Sequence, residues 1–180
     1  MSKELWAKVD NYLEGHFLPE DSALTDTLRT SDAEGLDPIA VTPTQGKLLN
    51  MLVQMHGSRR VLELGTLGGY STICMARALP EDGQLVTLEL VEHNAAVARR
   101  NIDAAGVGGK VDIRVGDALD SLKAMVAADE APFDFVFMDA NKDGYPAYFE
   151  EVMKLVKKGS VIIADNVIRN GAVLEADNTE

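Results

Sequence analysis

The sequence predicts an α/β fold, a doubly wound and mostly parallel sheet behind an N-terminal helical extension. Three observations predict it. Short apolar runs recur at residues 60–64, 84–90, 111–115, 133–138 and 160–164. Stretches of helical periodicity lie between them, near residues 70–79, 92–105, 118–128 and 146–157. The apolar runs are continuous rather than alternating, as in strands buried on both faces of a parallel sheet covered by helices.

Taken in order, residues 3–17 place Leu5, Trp6, Val9, Tyr12, Leu13 and Phe17 at helical spacing. This is an amphipathic helix, packed on the domain or on a partner subunit. Residues 22–34 read as a second, polar helix or a mobile segment. A third helix begins at Thr42-Pro43-Thr44, with Thr42 as N-cap and Pro43 at the first helical position, and stops at Gly57. Residues 1–40 are therefore the extension and residues 41–180 the domain that follows it. Strand and helix then alternate to a fifth strand, Val161-Ile162-Ile163-Ala164, which would stand bare at a sheet edge unless a partner chain or further chain covers it.

The chain has 180 residues, sized for one domain. Charged residues make up 26% and no apolar run approaches the ~18 residues of a membrane span. The N-terminus mixes charges throughout and does not read as a signal peptide. A single cysteine, Cys74, leaves no internal disulfide framework and fits a reducing cytoplasm. Seventeen Lys and Arg against 29 Asp and Glu give a net charge of -12, a field that opposes attraction to nucleic acid or anionic lipid.

Ligands of open α/β sheets bind beyond the carboxyl ends of the strands. The first such turn reads Leu64-Gly65-Thr66-Leu67-Gly68-Gly69-Tyr70-Ser71, and its glycines allow close approach of backbone to ligand. A dinucleotide fingerprint starting at Gly65 needs glycine at 67 and 70; leucine and tyrosine stand there, which disfavours pyrophosphate. Three acids end three successive strands. Glu63 would repel phosphate but pair with an ammonium group, Glu89 suits a ribose, and Asp117 suits the exocyclic amine of a purine. Ribose, amine and adenine without phosphate describe S-adenosylmethionine. Taken singly, Glu63 also reads as a solvated strand end and Asp117 as a helix N-cap.

The fourth and fifth strands end in Asp139-Ala140-Asn141-Lys142 and Asp165-Asn166. If the two strands are neighbours, Asp139, Asp165 and Asn166 converge, and three such oxygen donors suit magnesium, calcium or manganese rather than zinc. Lys142 lies within reach of whatever such a cation holds. N-capping by the acids and plain exposure of Lys142 are the blander readings.

The segments VLELGTLGGYST, VTLELVEHN, VFMDANKDGY and VIIADNVIRNGA resemble those of the cation-dependent S-adenosylmethionine O-methyltransferases, among them the catechol and caffeoyl-CoA enzymes and bacterial relatives. The likeness spans residues 41–172, and the DxxK with a later ADN is its most specific part. It implies a Rossmann-like methyltransferase fold in which Asp139, Asp165 and Asn166 bind the metal and Lys142 is the catalytic base. It further implies that Glu63 and Ser71 hold the methionine end of the cosubstrate, Glu89 its ribose, and Asp117 with Ala118 its adenine region. Val41 would line the same pocket through its backbone, beside Gly65, and Asp139 would also approach the methionine amine. Family members continue with a strand pair that completes a seven-stranded sheet, so a C-terminal strand pair is expected to be missing here.

The expected activity is in-line transfer of a sulfonium methyl to a hydroxyl of a catechol-like aromatic molecule, with no covalent enzyme intermediate. The cation would acidify that hydroxyl and depress the pKa of Lys142, and the protein would work as a cytoplasmic homodimer. The competing readings are methylation of a tRNA hydroxyuridine, a nicotinamide-dependent dehydrogenase, and a cosubstrate-binding module without turnover.

Overall fold

The structure, a computed structural model of the chain, describes residues 3–174. Residues 1–2 and 175–180, the outer ends of the two expected segments, lie outside the described residues.

Three helices come first: α1 (Lys3–Phe17), α2 (Ser22–Ala33) and α3 (Pro43–His56). The alternating part follows as β1 (Arg60–Leu64), α4 (Tyr70–Ala78), β2 (Gln84–Glu89), α5 (Glu92–Ala104), β3 (Val111–Val115), α6 (Ala118–Ala127), β4 (Phe133–Met138), α7 (Tyr145–Val152) and β5 (Val156–Ala164). The five strands form one parallel sheet in the order β3-β2-β1-β4-β5. No described helix is long and apolar enough to cross a membrane.

Local chemistry sets these boundaries. Thr42 and Gln45 close a capping box, with Thr42 Oγ1 accepting from Gln45 N and Gln45 Oε1 accepting from Thr42 N. Gly57 ends α3 in the left-handed conformation at φ +69°. The sheet is buried on both faces. One core joins Val61, Phe135 and Phe137 to Leu49 and Val53 of α3, Ile73 and Met75 of α4 and Ile102 of α5. The other joins Leu62, Leu64, Val86 and Val136 to Leu122 and Met125 of α6 and Val152 of α7. Two-sided burial explains why the strands read as unbroken apolar runs. Cys74 is buried in the first core.

The extension sits on this body. Helix α1 lies against α3 and leaves Trp6, Tyr12 and Phe17 largely exposed, while α2 lies on α4 and α5. Arg77 pairs with Asp21, and Arg100 Nη2 with Glu34 Oε1 at 2.7 Å. Ser31 of α2 stands so close to Gly68 that a Cβ there would collide with its hydroxyl.

The last strand departs from expectation. It begins at Val156 rather than residue 160, and α7 ends at Val152 rather than residue 157. Phe133 pairs with Val156 but Phe135 pairs with Val161, so the intervening residues bulge out of the ladder. Gly159 takes φ +100° there, Lys157 N donates to Ser160 Oγ at 3.1 Å, and Ser160 Oγ donates to Phe133 O at 2.8 Å. The polar Lys157-Lys158-Gly159, which reads as a helix end, is therefore inside a bulged strand. β5 is the outer strand of the described sheet, with Val161–Ala164 half-buried.

Candidate active site

The carboxyl ends of the strands open into a cavity of about 800 Å³. Strand order reverses between β1 and β4, where open α/β sheets form their ligand crevice. Gly65 and Asp139 come close together there. Asp139 N donates to Leu64 O at 2.8 Å and Gly65 N to Leu88 O at 2.9 Å. Gly65 has φ +95°, and a Cβ on it would collide with the carbonyl oxygen of Asp139. Glycine is required at this position by the neighbouring strand as well as by any ligand.

The cavity brings together Val41, Gly65, Ser71 and Glu89 with Asp139, Lys142 and Asn166 from across the reversal. Glu89 is buried and already occupied. Its Oε2 accepts from Thr66 N at 3.1 Å and Leu67 N at 2.8 Å, and its Oε1 accepts from Val91 N at 2.9 Å and Asn94 Nδ2 at 3.4 Å. The acid expected to meet a ribose thus also ties down the glycine-rich turn, in which Leu67 holds a left-handed φ of +49°.

Glu63 is placed differently from expectation. It is fully buried behind the turn and does not line the cavity. Ser71 Oγ (2.6 Å), Thr72 Oγ1 (2.5 Å) and Thr87 Oγ1 (2.7 Å) all donate to its carboxylate. Burial pushes its pKa up to about 7 against the pull of these three hydroxyls, and the Asp139 charge adds to the rise. Glu63 is therefore neither a solvated strand end nor a wall of the cavity. It touches the site by holding Ser71, which does line it.

Asp117 and Ala118 are also outside the cavity wall. Asp117 is the N-cap of α6, accepting from Asp120 N at 3.0 Å. Its charge still reaches inward, since it raises the pKa of Tyr148 together with burial, the larger cause. The Tyr148 hydroxyl donates to Oδ1 of Asn141, a cavity residue, at 2.5 Å.

At the other end, β4 and β5 are adjacent, and Asp165 N donates to Met138 O at 3.0 Å. Asp139, Asp165 and Asn166 therefore stand at neighbouring strand tips. Asn166 lines the cavity with a left-handed φ of +57°, and Asp165, outside the wall, accepts from Asn166 N at 2.7 Å. Among the described residues no cluster of three or more His, Cys, Asp or Glu could hold a metal. The donor set here is instead two carboxylates and one amide. Lys142 Nζ lies 2.6 Å from Asp139 Oδ1 and 2.9 Å from the Tyr145 hydroxyl. Burial works to lower the Lys142 pKa, but its bonds with Asp139 and Tyr145 outweigh that and raise it.

A model of the O-methyltransferase family matches residues 16–180. The chain belongs to the O-methyltransferase family. It is 45% identical to a catechol O-methyltransferase of Niastella koreensis over 180 residues, all of this chain and 81% of that relative. It superposes with a TM-score of 0.95 on an O-methyltransferase from Bacillus cereus solved in complex with SAH, at 47% identity, covering 98% of this chain and 80% of that one. TomG from Streptomyces achromogenes, solved in complex with SAM, gives a TM-score of 0.94 at 43% identity, covering 100% of this chain and 81% of that one.

In this O-methyltransferase the extension supplies a wall that site reasoning from the sequence did not assign residue by residue. Leu28, Leu36, Pro38 and Ile39 form an apolar side of the cavity. Asn94, Asn141 and Tyr145 were missed as well. Only Tyr145 carried a usable signal, since it follows Lys142 by three residues, the spacing of one helical turn.

Proposed function

We propose that this O-methyltransferase moves the methyl group of S-adenosylmethionine to a hydroxyl of a catechol-like small molecule, with a divalent cation held by Asp139, Asp165 and Asn166. The observation that carries the reading is the shared cavity that Ser71 and Glu89 line together with Asp139, Lys142 and Asn166, from the two sides of the strand reversal. The solved relatives in complex with SAH and SAM support the cosubstrate, and the relative named catechol O-methyltransferase supports the acceptor class.

The cation reading rests on the chemistry of the donors. Two carboxylates and an amide oxygen are hard ligands of the kind magnesium, calcium and manganese take. The Lys142 ammonium already lies against Asp139, so positive charge belongs at this spot. When bound, the cation supplies charge that acidifies a phenolic hydroxyl of ordinary pKa ~10 and orients two vicinal oxygens.

The chain's own residues do the rest. Glu89, fixed by four donors, would accept from ribose hydroxyls, and Ser71, which lines the same cavity, would meet the methionine end. The apolar wall of Leu28, Leu36 and Ile39 offers an aromatic acceptor a surface to pack against. Lys142 takes the acceptor's proton at Nζ, which requires it to leave Asp139 and become neutral first.

The test is a product assay by mass spectrometry on catechol, protocatechuate and caffeate, with S-adenosylmethionine and magnesium or with chelator. Methylated product that appears only with the cation is the expected result. Product formed equally in chelator would remove the cation, and no product from any of the three would remove the acceptor class.

A further inference from the structure

We propose that Tyr145 is a positioning residue that pins the tips of β4 and β5 together and so sets the spacing of the Asp139 and Asp165 carboxylates. The inference rests on the cation reading above and extends it to a residue that ligates nothing.

The ladder between β4 and β5 ends with Met138 paired to Ala164. One bond continues it, from Asp165 N to Met138 O at 3.0 Å. Asp139 N turns the other way, to Leu64 O of β1. The two expected ligands thus lie just past the last ladder pair, where backbone pairing alone holds them weakly. The Tyr145 hydroxyl fills that gap. It donates to Met138 O at 2.7 Å and lies 3.2 Å from Asp165 O, so one side chain reaches the carbonyls on both strand tips. Met138 O then has both lone pairs engaged, by Asp165 N and by Tyr145. The same hydroxyl accepts from Lys142 Nζ at 2.9 Å, which gives that ammonium a second anchor besides Asp139. Tyr145 itself is held from behind. It opens α7, is followed by Pro146 at the start of the helix, and its ring packs on the core that contains Leu64 and Met138.

Tyr145→Phe keeps that ring and removes only the hydroxyl. Partners of this kind that orient metal ligands typically change metal affinity by about 10–100-fold. The experiment titrates manganese(II) alone into the full chain and into Tyr145→Phe by calorimetry, and S-adenosylhomocysteine into both. The expected result is a manganese dissociation constant raised about tenfold or more, with S-adenosylhomocysteine affinity and melting temperature nearly unchanged. Equal manganese affinity in the two proteins overturns the inference while leaving the cation reading intact. A parent chain that takes up no manganese overturns both. Amide hydrogen exchange gives a second, metal-free measurement. Asp165 N–H should exchange faster in Tyr145→Phe while Gly65 N–H is unaffected, and unaltered exchange at Asp165 also overturns the proposal.

Discussion

Lys142 Nζ sits 2.6 Å from Asp139 Oδ1, so the proposed base and a proposed cation ligand are ion-paired with each other. Both side chains are about four-fifths enclosed, at 21% and 22% exposure, so their charges are less screened by water than those of an ordinary surface bridge. Under the proposed cation reading, the ammonium would compete with the cation for Asp139.

Lys142→Met tests that competition. Loss of a general base should lower turnover by about 10²–10⁴-fold. The same substitution leaves Asp139 without its ammonium, so manganese should bind more tightly than in the parent. Calorimetric titration checks the second half; weaker manganese binding would show that Lys142 does not compete for Asp139.

Glu63→Gln reads out the buried acid. With a folded pKa raised to about 7 from 4.5, Glu63 binds more protons in the folded state than in the unfolded one between those values. Its contribution to stability is fully present below about pH 4.5 and is lost as pH rises through about 7, roughly 3 kcal/mol in all. Denaturant unfolding at pH 5 and pH 8 should show the parent losing more stability over that interval than Glu63→Gln. Parallel losses would mean the carboxyl is not held neutral.

Asp134 works in the opposite sense. Burial raises its pKa, but Lys157 Nζ at 2.7 Å and the amides of Arg59 and Arg60, each at 2.9 Å, more than offset this and bring it to about 2. Its stabilisation is present above the unfolded value of 3.8 and disappears as pH falls through about 2. Asp134→Asn should cost about 2 kcal/mol at neutral pH and almost nothing near pH 2. Urea midpoints at the two pH values decide it.

Gly65→Ala places a Cβ against the Asp139 carbonyl at a backbone φ that disfavours side chains. A cost of about 3 kcal/mol or more is expected from strain and displacement together. Because Asp139 must move, turnover should fall further than the folded fraction does. Activity normalised to folded protein by circular dichroism checks this, and a proportional loss would leave Gly65 a purely structural residue.

Most of the fold was legible because local signals and burial agreed. Val61 to Leu64 is apolar apart from Glu63 and lies at the sheet centre, and Thr42, Pro43 and Gly57 bracket α3 by their own conformational preferences. The start of β5 was hidden because a bulge lets Lys157 and Lys158 sit inside a strand whose pattern they interrupt. Strand ends carrying acids pointed to the end of the sheet where the cavity lies, yet sequence position does not tell which way an acid faces. The hydroxyls that enclose Glu63 come from residues 71, 72 and 87, on two different elements, and only the folded chain collects them. The Tyr145 link was obscured for a similar reason, since its carbonyl partners belong to Met138 and Asp165, at the tips of β4 and β5 and 27 residues apart in sequence.

The four donors on Glu89 bear on how quickly a nucleoside finds its place. Folding has already aligned that carboxylate and frozen the turn of Thr66 and Leu67 around it. Under the proposed ribose role, an arriving hydroxyl would replace the longest of the four bonds, the one from Asn94 at 3.4 Å, and trade one partner for another without reshaping the loop. Capture should then be limited by diffusion and access to the opening rather than by rearrangement of the protein.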